Sequence, residues 1–355
     1  MSSSRRHRPR IGAARTIAAL GVAAAIALVP IAPAMANIST ELVRGDVGLS
    51  FRYAYDNGPA WSLAYPYRME SVGGERTLAY CVQWPIGTED GALYDEGEWD
   101  GIENLANVNW ILHNGAPVVS NAELTDAVEA HSGLTLTDFS DYEARGGTQF
   151  AIWSYTDGFE MDRVLELYEQ VGGGGSLGSV QIPRVSALVA YLTDPAINVG
   201  MSEPVVSLAL EDSAAAWNGT EYGPIRVLTN APEVQLEVTA GDARLVDASG
   251  AAVATATDGA ELFLTSPVGA SGLATISAEA PEATLSTGRL LLSPELQTLI
   301  VSSEFAALAV DTLDVELTPQ LAETGTGVVP VAAGAAVLLL GGLVLLMMRT
   351  RARWR

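Results

Sequence analysis

The chain has 355 residues and a formal net charge of −23 at pH 7, with 42 acidic side chains against 19 basic ones. That length corresponds to two ordinary domains plus flanking segments, and such a polyanion excludes generic nucleic-acid binding, because phosphate must be met by cations. The single cysteine, Cys81, excludes an intramolecular disulfide framework and a CxxC zinc site, and three histidines (His7, His113 and His131) leave little for histidine-based chemistry. Every basic residue is arginine. The chain therefore cannot form lysine–asparagine isopeptide links within itself, and it has neither a P-loop lysine nor a Schiff-base lysine.

Residues 1–36 read as a secretory signal peptide. Arg5, Arg6, Arg8, Arg10 and Arg15 make a basic leader, Ile17 to Val29 an apolar stretch, and Ala34-Met35-Ala36 a small-x-small cleavage site. The cut falls after Ala36, so the mature chain begins at Asn37. The apolar residues that should follow a twin-arginine pair at Arg5-Arg6 are missing, which favours the general secretory route.

Residues 37–200 mix strand and helix patterns and predict an α+β domain. Val47 to Tyr55 alternates as a strand and ends at Asp56-Asn57-Gly58-Pro59; Arg76 to Trp84 is a second strand, closed by Pro85 and Gly87. Helices are expected over Asn104–His113, Asn121–His131 (capped by Asn121), Asp141–Tyr155, Met161–Gln170 and Val185–Leu192. The acidic stretch Asp90, Asp95, Glu96, Glu98 and Asp100 lacks the alternating order of a calcium loop and reads as a solvated loop.

Residues 203–315 change texture. Short strands over 205–210, 225–229, 234–238, 243–246, 260–265, 274–277 and 298–301, separated by Gly, Asn, Asp and Pro turns, predict an all-β, immunoglobulin-like sandwich serving as a stalk. Thr312 to Gln320 reads as the link from this domain to the C-terminal segment.

Residues 316–325 hold a linker and the sequence Leu321-Ala322-Glu323-Thr324-Gly325. An uncharged apolar stretch, 328–348, is long enough to cross a bilayer as a helix, and the basic tail 349–355 keeps the C-terminus cytoplasmic. Motif, span and basic tail together resemble the cell-wall sorting signal of Gram-positive bacteria, in the LAxTG variant similar to that of high-GC actinobacteria. The resemblance implies that a sortase cuts between Thr324 and Gly325 and links Thr324 to peptidoglycan. The expected location is the cell surface, with the membrane held only through the C-terminal span before sorting. Processing removes nine arginines and leaves the mature segment at about −32, a charge that favours solubility and deters anionic partners.

A lone exported cysteine is a buried small hydrophobe, an intermolecular disulfide partner or a reactive group. Cys81 sits in Tyr80-Cys81-Val82, amid aromatic residues. A second segment, Thr148-Gln149-Phe150-Ala151-Ile152-Trp153, puts Gln149 in a helical pattern. The pair, in this order and 68 positions apart, resembles the thioester (TQxA) domain of Gram-positive surface adhesins, over about residues 37–192. The resemblance implies that the Cys81 thiol attacks the Gln149 carboxamide, releases ammonia and leaves an internal thioester. An incoming amine then takes the acyl group. Water would waste the site, so apolar walls are needed; Tyr80, Trp84, Phe150 and Trp153 are the candidates. His113 and His131 are the candidate bases, each at a helix end.

No GxSxG, HExxH or Gly-rich phosphate loop is present, and neither a cofactor nor a metal is implied. The expected function is a sortase-anchored adhesin, not a turnover enzyme, reacting once with an amine-bearing surface protein or a polyamine. A non-covalent adhesin or surface-structural protein of the same fold is the alternative. A Cys81–histidine enzyme is disfavoured, since it leaves the Gln149 motif unexplained. The absence of lysine also keeps a reactive acyl group from crosslinking sister molecules through their side chains.

Overall fold

The computed structural model describes residues 40–71, 74–84, 86–172 and 175–317. The expected signal-peptide cut at Ala36 and Asn37, the sorting motif Leu321 to Gly325, the 328–348 span and the basic tail lie outside them. Among the described residues no helix is long and apolar enough to cross a membrane.

The first half contains β1 (Thr40–Gly45), β2 (Val47–Tyr55), β3 (Gly58–Ala64), β4 (Tyr67–Ser71), β5 (Arg76–Cys81), β6 (Leu93–Gly97), α1 (Leu105–Asn114), α2 (Asn121–Ser132), α3 (Asp141–Thr156), β7 (Val164–Val171), β8 (Ser176–Ser179) and α4 (Ile182–Thr193). The second half contains β9 (Leu208–Glu211), β10 (Ala216–Trp217), β11 (Glu221–Thr229), β12 (Val234–Ala240), β13 (Arg244–Val246), β14 (Thr255–Ala256), β15 (Glu261–Thr265), β16 (Gly272–Leu285), β17 (Leu290–Leu292), β18 (Leu299–Val301) and β19 (Phe305–Leu317).

Four helices and a sheet of order β3-β2-β7-β8 form one layer pair of the first half. α3 is its axis. Helices α2 and α3 both begin with capping boxes, Ser120 with Glu123 and Ser140 with Glu143, each satisfying two orphan amides. The N-cap of α2 is thus Ser120 rather than Asn121. Two consecutive glycines in α3, Gly146 and Gly147, sacrifice helix propensity for close approach. A methyl group at Gly146 would overlap the side chain of Leu49 on β2, and one at Gly147 would lie 2.6 Å from Leu188 on α4.

The expected helix over 161–170 is instead a 3-10 turn, Met161–Arg163, followed by β7. The run Val164, Leu165, Leu167, Tyr168 suits either period; pairing with β2, from Val47↔Val171 to Tyr53↔Val164, decides it.

The second half holds two antiparallel sheets. One has the order β10-β11-β15-β13 with β9 on β11, the other β14-β12-β16-β19. Leu210, Ile225, Val227, Leu262 and Leu264 of the first and Leu236, Ile276, Leu313 and Val315 of the second are buried. Asp311 on β19 reaches across, its Oδ2 accepting from Leu210 N–H at 2.7 Å on β9, and burial raises its carboxyl to about 6. Residues 312–317, expected as linker, complete β19, whose alternating burial matches the inner face of a sandwich.

The boundary between the halves is not a single point in the chain. β16 and β19 pair along their length, from Gly272↔Leu317 to Leu285↔Phe305. The segment joining them carries β17 and β18 out of the sandwich. There they close a six-stranded antiparallel barrel, β1-β4-β5-β18-β17-β6. Strand 298–301, read from sequence as part of the sandwich, pairs with β5 through Leu299↔Cys81, Ile300↔Tyr80 and Val301↔Ala79.

Arg289 seats this insertion. Its side chain is 3% exposed and bonds Glu96 Oε1 at 2.6 Å, Glu203 Oε1 at 2.7 Å and the Gly97 carbonyl at 2.9 Å. Glu96 therefore belongs to a buried ion pair on β6, not to a solvated acidic loop; burial raises its carboxyl while Arg289 opposes the rise. Removing one member leaves an unpaired buried charge. Arg289→Ala is therefore expected to destabilise the protein by about 3–5 kcal/mol, read from urea unfolding; a loss under about 1 kcal/mol, the size of a surface pair, would contradict the latch.

Candidate functional site

The site lies where the end of β5 meets α3. Cys81 is a free thiol, 2% exposed, and Gln149 is fully buried. The Gln149 carboxamide bonds both backbone groups of Cys81: Cys81 N–H donates to Gln149 Oε1 at 3.0 Å, and Gln149 Nε2 donates to the Cys81 carbonyl at 2.7 Å. The two residues singled out in the sequence are thus brought together, with the glutamine acting as one more rung beside the strand.

The preceding residue of each motif fixes this meeting. Tyr80 Oη donates to the Ala116 carbonyl at 2.8 Å, and Ala116 N–H donates to Thr148 Oγ1 at 3.1 Å. Thr148 Oγ1 in turn donates to the Ala144 carbonyl, one turn back in α3. Tyr80 and Thr148 therefore hold the same residue between α1 and α2 from two sides. This sets the distance between β5 and α3 one residue before Cys81 and Gln149. On the far side, Trp84 N–H donates to Asp157 Oδ1 at 3.2 Å, fastening the chain after Cys81 to the end of α3.

The four proposed wall residues divide. Trp153 follows Gln149 by one helical turn and stacks on Trp84 with centroids 5.5 Å apart. The buried Trp153 Nε1–H has no acceptor in ordinary hydrogen-bond geometry among the described residues. Phe150 faces another way, stacked on Phe159 at 4.7 Å and edge-on to Phe51 at 4.9 Å. Tyr80 is a brace through its hydroxyl. Trp84 and Trp153 form the aromatic side of the site; Phe150 and Tyr80 support it from behind.

Two further groups touch the sulfur, and neither was singled out in the sequence. Gln297 Oε1 accepts the Cys81 thiol hydrogen bond. Gln83 N–H donates to Cys81 Sγ at 3.4 Å. Tyr94 is fully buried, and its hydroxyl has no hydrogen-bond partner among the described residues; it lies close enough for the Cys81 charge to act on it. No local signal marks Gln297: it is 216 positions from Cys81 and reaches it only through the β17–β18 insertion.

Burial pushes the Cys81 thiol up to about 12, against the smaller opposing influence of the Gln83 amide and the Trp153 indole N–H. Among the described residues no hydrogen bond joins either histidine to Cys81. His113 Nδ1 pairs with the Asn109 carbonyl of its own helix at 2.9 Å, and His131 Nε2 with Asp194 Oδ2 at 2.9 Å. Among the described residues no group of three or more His, Cys, Asp or Glu could hold a metal ion.

Residues 78–198 match the family model of the thioester domain. Solved structures similar to the chain include the Bacillus anthracis TIE protein (17% identity, TM-score 0.34, 76% of this chain against 48% of that one). The thioester domain of the Staphylococcus aureus TIE protein is another (13%, TM-score 0.27, 79% against 99%). A third is the N-terminal thioester domain of the fibronectin-binding protein SfbI from Streptococcus pyogenes (12%, TM-score 0.26, 63% against 92%). The chain spans about half the length of the Bacillus protein. No curated protein matches it.

The raised thiol yields a pH prediction. In Gln149→Ala, which leaves Cys81 unlinked, thiolate absorbance at pH 9.0, where an ordinary cysteine is half ionised, should remain near its neutral-pH level and rise only toward about 12. Half-ionisation near 9.0 in the folded protein would contradict the buried setting of the thiol.

Proposed function

We propose that the chain is a surface adhesin whose Cys81 and Gln149 form an internal thioester and that this bond reacts once with an amine on a partner. The observation that carries the reading is the two-way pairing of the Gln149 carboxamide with the Cys81 backbone in a buried site.

In the forming step, Cys81 Sγ attacks Gln149 Cδ, the C–Nε2 bond breaks, and the thiol proton leaves with the nitrogen as ammonia. The Cys81 N–H already donates to the oxygen that gains negative charge in the tetrahedral intermediate. Holding both groups in place supplies the effective molarity that a poor electrophile such as a carboxamide needs. In the second step an amine attacks the same carbon, forms an amide with the Gln149 acyl group and restores the Cys81 thiol. Thiolate is the better leaving group, so this step runs toward the amide. Trp84 and Trp153 limit hydrolysis by excluding water.

Export by the 1–36 signal, sortase cleavage between Thr324 and Gly325, and attachment to peptidoglycan would display the domain at the cell wall. The partner class is an amine-bearing surface protein or a polyamine. The chain consumes its own thioester, so it is a single-turnover binder and not an enzyme.

Methylamine tests the reading. The wild-type protein should acquire a methylamide on Gln149 with a free thiol at Cys81, Cys81→Ala should not react, and the His113→Ala/His131→Ala double variant should react like wild type. Loss of labelling in the histidine double variant would favour the Cys–His enzyme. An unreactive wild type with an intact Gln149 amide would favour the non-covalent adhesin.

A further inference from the structure

We infer that Asp157 is the group through which the site receives its amine: its carboxylate binds the incoming ammonium beside Trp84 and takes the proton that the nitrogen must lose before it attacks. The inference rests on the proposed Cys81–Gln149 thioester and names the residue that makes it selective for cationic amines.

Cys81 and Gln149 are buried, whereas Gln83, Trp84 and Asp157 beside them reach solvent. Two hydrogen bonds fix the Asp157 side chain there. Its Oδ1 accepts from Trp84 N–H at 3.2 Å, three residues past Cys81, and its Oδ2 accepts from Thr156 Oγ1 at 2.7 Å. Trp84 in turn stacks on Trp153, one helical turn before Asp157. Asp157 is also close enough to Cys81 for its charge to act on the thiol.

The charge of Asp157 has no structural use. Its bond to Trp84 needs only an acceptor oxygen, which asparagine would also supply. Among the described residues no ion pair reaches it, and the chain has no lysine. Arg163, a few residues on, is committed to Asp56 at 2.6 Å and to the Ala54 carbonyl at 2.8 Å. Asp157 also caps the C-terminus of α3, whose last turn carries no basic residue. Negative charge is unfavourable at that end of a helix and positive charge favourable. Burial raises the Asp157 carboxyl, against the bonds from Thr156 and Trp84. An ammonium at this point would meet both the carboxylate and the negative end of α3.

An aliphatic amine is protonated at neutral pH, and its nitrogen then has no lone pair for attack. The ammonium gives one proton to Asp157, and the freed nitrogen attacks Gln149 Cδ. The C–S bond breaks, and a second proton from the nitrogen goes to the Cys81 sulfur as the amide forms. Asp157 then passes its proton to solvent and is restored. Water carries no positive charge to be drawn to the carboxylate, so the same group favours aminolysis over hydrolysis.

The test compares two nucleophiles on full-length protein whose loss of ammonia is followed by intact mass. Methylamine is cationic at neutral pH; hydroxylamine is uncharged. Asp157→Asn keeps an oxygen for Trp84 and removes the charge. It should still lose ammonia, react with methylamine about a hundredfold more slowly than wild type, and react with hydroxylamine at nearly the wild-type rate. Equal methylamine rates in the variant and wild type would overturn the inference while the thioester reading stands. Equal slowing with both nucleophiles would reduce Asp157 to a structural bond and overturn it too. A wild type at full mass with an intact Gln149 amide would sink both the inference and the reading beneath it. If Asp157→Asn fails to fold, wild type alone decides. Tetramethylammonium chloride, cationic but unreactive, should slow methylamine labelling more than sodium chloride at equal ionic strength, with hydroxylamine labelling alike in the two salts. No difference between the salts toward methylamine would overturn the inference.

Discussion

The structure turns on the carboxamide of Gln149 held against the backbone of Cys81. Its oxygen and nitrogen engage the amide and carbonyl of one residue, so the side chain is held against the end of β5. In a fully buried position such a pairing is strongly specified, because either group left unmet would carry its whole desolvation cost. Most of the surrounding architecture can be understood as what is needed to bring a strand end and a helix to this separation. Gly146 and Gly147 let α3 approach β2 and α4. Tyr80 and Thr148 set the spacing through Ala116. Asp157 fastens the chain just beyond Cys81.

The same arrangement controls reactivity. Burial that excludes water also suppresses thiolate, so the site gains protection at the expense of nucleophilicity. Position then has to replace ionisation: a protonated thiol in fixed geometry can still react because the competing bimolecular search has been removed. Gln297 links the two halves of the molecule, since the hairpin that seats it arises from the sandwich and is latched by Arg289, Glu96 and Glu203.

What could be read from sequence depended on range. The strand carrying Cys81, the helix carrying Gln149 and the helices at α1, α2 and α4 were visible because each has a local period and its own stop signals. The two motif segments were visible because their residue types resemble a known chemistry. Met161 to Gln170 misled because its apolar spacing suits both periods, and only the pairing with β2 resolves it. The fate of 286–303 was not legible at all. Its short strands look like any others in an all-β region, and their partners, β5 and β6, lie about two hundred residues earlier. Gln297 inherits that invisibility, as does Glu96, which reads as one more acidic loop residue until Arg289 is placed beside it.

The central claim is that Cys81 and Gln149 become covalently joined, and the intact mass of the purified protein beside Cys81→Ala addresses it most directly. The account predicts a wild type lighter than its calculated mass by one ammonia and a variant at full mass. A wild type at full mass, with a freely alkylatable Cys81 and an unaltered amide at Gln149, would contradict it.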